Sequence, residues 1–223
     1  MPRKIKEQKP LIYVFCEGES EQVYTDFLKT KFSDVAVIKR PAATGIFEEA
    51  DSKFKKDKRY KDSAEVTDEI WFFFDVEKDQ ADKWDSRLKI IKRLRSLRKK
   101  PSIKVRLLMT TACIEYWLML HYKMYAPIIE TVSDKERVLA EVVGREPNYE
   151  KGDYISTAKI AERYPTAVQN ADKVLKQLAA DGLPNLEDTD ERNQWVYKNS
   201  KTFSTVYEAI NYLEGLRPKT DNV

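Results

Sequence analysis

The chain has 223 residues, 40 basic and 37 acidic, for a formal net charge of +3, and 42% of its side chains are hydrophobic. That length suits one core with an appendage, and twelve Tyr, nine Phe and four Trp exclude a disordered chain. No apolar run approaches the roughly 20 residues of a membrane-spanning helix, which excludes a membrane partner of that kind.

The start, "MPRKIKEQKP", is basic but lacks a following apolar region with a small-residue cleavage site, so a soluble, cytoplasmic protein is expected. The first strand signal is "LIYVFC" (11–16), followed by a helix beginning near Ser20 in "ESEQVYTDFLKTKF", with Val23, Phe27 and Leu28 on one face. "VAVI" (35–38), "EIWFFF" (69–74) and "IKVRLLM" (103–109) are further strands. The first and third of these four are continuous apolar runs, as expected of strands covered on both faces. Between Arg87 and Lys100, "RLKIIKRLRSLRKK" carries eight basic residues and no acidic one, with Leu88, Ile91, Leu94 and Leu97 at helical spacing. A second basic cluster runs from Lys53 to Lys61. Strands alternating with helices predict a parallel α/β sheet of about four strands, Rossmann-like, flanked by helices.

From about Thr110 the pattern turns helical. "CIEYWLMLHYKMY" reads as a largely buried helix capped by Thr110 or Thr111. "SDKERVLAEVVG" pairs a Ser133 cap with Glu136 and stops at Gly144, "TAVQNADKVLKQLAADG" stops at Gly182, and "FSTVYEAINYLEGL" makes the last helix. "GREPNYEKGDY" and "DGLPNLEDTDERNQ" read as loops. The predicted organisation is an α/β core over 1–125 and a helical C-terminal part over 126–223 packed on it. Cys16 and Cys113 fit no CxxC or Cys/His ligand spacing and read as buried thiols without a disulfide.

In open parallel sheets, functional groups gather beyond the carboxyl ends of the strands. Two acidic clusters fall there. Glu17, Glu19 and Glu21 follow the first strand, and with a helix starting near Ser20, Glu17 and Glu21 share a cavity while Glu19 points away. Gly18 allows the turn between them. Asp75 and Glu77 follow the third strand and point the same way on extended backbone, with Asp79 able to join them if the chain turns. Such acids repel one another unless a cation lies between them, and hard divalent ions accept one or two carboxylates with water and phosphate. Two such ions about 4 Å apart support phosphodiester cleavage. Strand ends and first helical turns also favour acids for solvation and dipole reasons alone.

The motifs carry a resemblance. "VFCEGESEQVY" resembles the opening motif of Toprim domains, and its E-G-x-x-E form, Glu17, Gly18 and Glu21, is similar to that of OLD-type nucleases. "WFFFDVEKD" resembles the Toprim D-x-D motif. Together with "CIEYWLMLHY" and "NSKTFSTVYEAINYL", in that order, these blocks resemble the RloB-like family from about Leu11 to Leu213. The resemblance implies a Toprim-like fold and a Mg²⁺- (or Mn²⁺-) dependent nuclease of bacterial antiphage defence, often with an ABC-type ATPase as partner. By motif position it implies Glu17 as the pivotal acid, a metal ligand or proton-transfer group, and Glu21, Asp75 and Glu77 as metal ligands. Glu77 stands where the motif has a second Asp, and its longer arm makes Asp79 a further candidate ligand.

Glu115 falls in the first turn after the fourth strand, where it either completes the acidic pocket as a catalytic residue or serves as a favourable helix N-terminal charge. His121, the only histidine, and Trp117 read as packed residues. Arg93, Arg95, Arg98, Lys99 and Lys100 are the candidates for tracking a DNA or RNA backbone, the alternative being a solvated helix face. No G-x-x-x-x-G-K-[ST] loop is present, so ATP hydrolysis by this chain alone is not expected. The expected function is a metal-dependent nuclease. Its rival is a non-catalytic nucleic-acid-binding or effector subunit of an ATPase defence complex, with nucleotidyl or phosphoryl transfer as a third reading.

Overall fold

The computed structural model describes residues 8–199 and 201–218. Four parallel strands, β1 (Leu11–Cys16), β2 (Val37–Lys39), β3 (Thr67–Val76) and β4 (Lys104–Thr111), form one sheet in the order β2-β1-β3-β4. This is the α/β fold with a helical C-terminal part that the alternating pattern predicts.

Side-chain parity along β1 and β3 divides the helices between the two faces. Tyr13, Phe15, Phe72 and Phe74 meet α2 (Phe47–Lys56) and α3 (Lys58–Ser63) through Phe47, Phe54 and Tyr60; Phe47 stacks on Phe72 with ring centroids 4.1 Å apart. α4 (Trp84–Arg95) lies on the same side against α2. On the other face, Cys16 meets Thr25 of α1 (Glu19–Lys31), and Phe73 meets Tyr24, which also contacts Trp117 of α5 (Ile114–Leu120). Helices α6 (Val132–Arg145), α7 (Tyr154–Ala161) and α8 (Tyr164–Gln177) pack outside α1 and α5. Trp71, Phe72, Phe73 and Phe74 are fully buried, so β3 is covered on both faces, as its unbroken apolar run requires.

The C-terminal part is built into the sheet as well as laid upon it. After α9 (Asp190–Lys198), Ser204 bridges Thr110 antiparallel, Thr111 N donates to Phe203 O (3.1 Å) and Thr205 N to Met109 O (2.9 Å), before α10 (Val206–Gly215) begins. These contacts cover the β4 edge, which would otherwise present unpaired backbone. Among the described residues no helix is long and apolar enough to cross a membrane. Cys16 and Cys113 are free and buried.

Several local expectations need correction. Thr110 and Thr111 are the last residues of β4, and the residue capping α5 is Cys113. The strand runs on because both threonines are bonded to the C-terminal segment. Ala112 then takes a left-handed turn, φ +66°, with Cys113 N donating to Thr111 O, which swings the chain into a helix of only seven residues. The cap of α6 is Thr131 with Asp134, and Gly144 lies inside that helix. Part of the supposed loop before Gln194 is the first turn of α9, capped by Thr189. The basic helix starts at Trp84 and ends at Arg95, leaving Leu97 outside it.

Candidate active site at the sheet edge

In a sheet ordered β2-β1-β3-β4, the connections from β1 and β3 leave toward opposite faces, opening a crevice beyond their carboxyl ends. β1 delivers Glu17 there. Its backbone N–H donates to Phe73 O (3.0 Å), extending the β1–β3 pairing one residue past the strand, and its Oε2 accepts the Asp75 N–H (2.9 Å). The two motifs are thus joined side chain to backbone.

Glu21, in the first turn of α1, is 4% exposed, and its Oε2 accepts the Gly18 N–H at 3.0 Å. Gly18 itself has ordinary extended backbone, φ −131°, so the expected sharp turn is not what selects glycine. A Cβ there would lie 2.8 Å from Glu21 Oε2, so glycine is what lets that carboxylate approach so closely, and any side chain would make the carboxylate shift. Glu115, in the first turn of α5, is 1% exposed and accepts from Tyr149 Oη (3.1 Å) and Lys151 Nζ (3.1 Å). Asp75 carries a buried Oδ1 with no hydrogen-bond partner.

The proton affinities reflect the crowding. Burial, and then the charges of Glu21, Glu17 and Glu115, hold the Asp75 carboxyl well above the usual carboxylate range, with Lys135 opposing them. Burial first, with Glu17 and Glu115 adding to it, raises Glu21 to about 7. Cys113 is pushed up to about 12 by burial and by the neighbouring Glu115 and Asp75. Glu17, Glu21, Asp75 and Glu115 therefore share one site.

Glu77 and Asp79 are not brought into it. Glu77 forms an ion pair with Lys135 of α6, and Asp79 lies exposed in the 3-10 turn of residues 78–83. Together with Lys78, Glu130 and Lys135 they line an adjoining cleft of about 210 Å³. Glu19 is exposed, its carboxylate facing Gly152, and belongs to neither group.

The basic residues predicted to follow nucleic acid lie elsewhere. Arg93 pairs with Asp51, Arg95 is bidentate to Asp190 (2.7 and 2.8 Å), and Arg98 reaches Asp68 (3.3 Å) at the start of β3. Asp68 and Asp75 lie near opposite ends of β3, about 23 Å apart at about 3.3 Å per residue. Lys99 and Lys100, exposed just beyond Arg98, share that far edge. Arg93 and Arg95 tie α4 to α2 and α9, Arg98 ties the chain after α4 to β3, and none of the five residues reaches the acids, because α4 runs back from the carboxyl edge to the amino edge.

His121 is a packed residue. Its Nδ1 donates to Trp117 O (3.0 Å), leaving Nε2 to accept from Tyr24 Oη (3.1 Å), and burial lowers it to about 3. Four residues around the edge escaped sequence reasoning. Tyr149, Lys151 and Lys135 reach the acids from the helical part, at separations that leave no periodic signal. Arg87 is 5% exposed and donates to Tyr197 Oη (2.7 Å) and Gln80 Oε1 (2.8 Å). Its guanidinium sits 5.0–5.3 Å from the ring centroids of Phe47, Phe74 and Tyr197, with no carboxylate partner among the described residues.

The model of the family described as RloB-like protein matches residues 12–213. This chain belongs to the RloB-like family. No curated protein and no solved structure matches it significantly. The matched span of this RloB-like chain takes in every acid of the site, together with Lys135, Tyr149 and Lys151.

The acids also bear on whether a metal suits this edge. Among the described residues, no three His, Cys, Asp or Glu side chains form a ligating group as they stand. Glu17, Glu21 and Glu115 are each turned to a donor of the protein. A hard divalent ion such as Mg²⁺ asks for only one or two carboxylates, the remaining positions going to water and substrate oxygens. Asp75 Oδ1, unpartnered on a carboxylate beside Glu17, fits that demand.

Proposed function

We propose that this chain is a metal-dependent nuclease that hydrolyses phosphodiester bonds in DNA or RNA at a Toprim-like carboxyl edge. The observation that carries the reading is the convergence of Glu17, Glu21, Asp75 and Glu115 at the β1/β3 crevice with one buried carboxylate oxygen left unpartnered. Uncompensated, such a cluster is costly, because each buried unpaired acceptor forfeits about 1–3 kcal/mol. An active site is where that cost has a purpose. A role in antiphage defence beside an ABC-type ATPase is part of the same proposal and rests on the family resemblance.

Asp75 and Glu17 would hold a Mg²⁺ or Mn²⁺ ion. When bound, that ion supplies Lewis-acid stabilisation of the phosphodiester and a more acidic water. The chain's own residues prepare the rest. Glu17 is exposed and fixed by one oxygen to Asp75 N, leaving its Oε1 to accept a proton at the mouth of the crevice. Glu21 is locked in the first turn of α1 by Gly18 N, and Tyr149 orients Glu115. Lys135 and Lys151 place positive charge beside the acids, where an anionic backbone would otherwise be repelled.

The test is a cleavage assay on labelled single- and double-stranded DNA and RNA with Mg²⁺ or Mn²⁺. Glu17→Gln keeps the hydrogen bond to Asp75 N and should lower cleavage at least about 100-fold. Full activity in that variant refutes the assignment.

A further inference from the structure

Glu115 is the most buried acid of the site, and the cation it holds comes from the surface. Its carboxylate is 1% exposed, whereas the Lys151 side chain is 57% exposed and reaches in to 3.1 Å. The segment carrying Lys151, residues 146–153, is tied down on both sides: Tyr149 N donates to Glu146 O (2.9 Å), Asp153 N to Glu150 O (3.1 Å), and Asp153 caps α7 through Ser156 N (2.7 Å). Gly152, at φ +77°, lies against Glu19 in the first turn of α1, so this one segment roofs the starts of both α1 and α5. Its backbone is anchored while its lysine side chain stands largely in solvent, so the ammonium can leave Glu115 without disturbing any packed element.

Tyr149 and Lys151 compensate Glu115 differently. The phenol donates a neutral hydrogen bond that persists beside any cation, whereas an ammonium and a divalent ion seek the same carboxylate charge. We infer that Lys151 is a built-in counter-cation of the acid cluster, holding Glu115 until a divalent ion beside Asp75 and Glu17 competes for that carboxylate's charge, and then swinging free. This rests on the metal reading of the site and adds a residue that sets metal affinity from outside the ligand set. Lys135 is not equivalent, since its partner Glu77 is 38% exposed and lies in the adjoining cleft.

Calorimetric titration of the full chain with Mn²⁺ tests it. Lys151→Met should bind Mn²⁺ roughly fivefold more tightly than the native chain, the size of a half-exposed ion pair. Lys151→Arg, which keeps the cation, should match the native affinity. In a Glu115→Gln background the Lys151→Met gain should vanish. Unchanged or weaker affinity in Lys151→Met overturns the inference, and so does a gain that survives Glu115→Gln, which would mark a general field effect. Absence of Mn²⁺ binding in every form overturns the metal reading itself, and the inference with it.

Discussion

Replacing Glu21 by Gln should remove much of the pH dependence of folding near neutrality. Burial, with Glu17 adding to it, raises the Glu21 carboxyl from its ordinary 4.5 to about 7 in the folded chain. A group that holds its proton more tightly when folded stabilises the fold fully below its unfolded value, and that stability is lost as pH rises through the folded value. The window is therefore pH 4.5 to about 7, and at about 1.36 kcal/mol per unit the loss is on the order of 3 kcal/mol. Asp75, raised by burial and then by Glu21, Glu17 and Glu115, acts in the same direction. Gln retains an oxygen to accept the Gly18 N–H, so the start of α1 stays capped while the charge disappears. Urea unfolding at pH 5, 6, 7 and 8 without divalent ions should show the native chain weakening across this range and Glu21→Gln much flatter. Parallel stability profiles for the two proteins would show that Glu21 is not the source of this pH dependence.

Asp75→Asn removes a carboxyl whose ionised form the site disfavours, so the variant should lose less stability than the native chain as pH rises; chemical denaturation at low and high pH checks this. Gly18→Ala places a methyl 2.8 Å from Glu21 Oε2, so it should displace that carboxylate and weaken Mn²⁺ binding with little loss of thermal stability; a native Mn²⁺ isotherm would count against the close-approach account. Burial lifts both Cys16 and Cys113 to about 12, so a thiol reagent at pH 8 should label neither until denaturant is added, as mass spectrometry would show.

The sheet was readable because its strands are buried on both faces and so written as continuous apolar runs, Ile70 to Phe74 most plainly. β2 was readable only approximately, since Val37 and Lys39 of this edge strand are exposed and leave Ile38 as its one buried residue. The acids at Glu17, Glu21 and Asp75 were legible for a topological reason, because the end of a parallel strand is where a functional side chain must stand. Strand order carries no such local signal. That β1 and β3 are neighbours, and so bring Glu17 onto Asp75 N, is known only once the sheet is seen. The pairing of the basic run was not legible because charge in sequence says nothing of partners: Arg93, Arg95 and Arg98 are matched by Asp51, Asp190 and Asp68 from distant segments. Tyr149 and Lys151 were hidden for the converse reason. They lie in an irregular segment read as a loop, and their contact with Glu115 is made by the packing of α6 and α7 around α5 and α1.

If the carboxyl edge is a metal centre, a divalent ion lies between the acids of β1 and β3. Anomalous diffraction from crystals soaked in Mn²⁺ tests it most directly. A peak bounded by Glu17 and Asp75 is expected, lost in crystals of Asp75→Asn; no peak at that edge, or one that persists without the Asp75 carboxylate, would rule out a metal held by these acids.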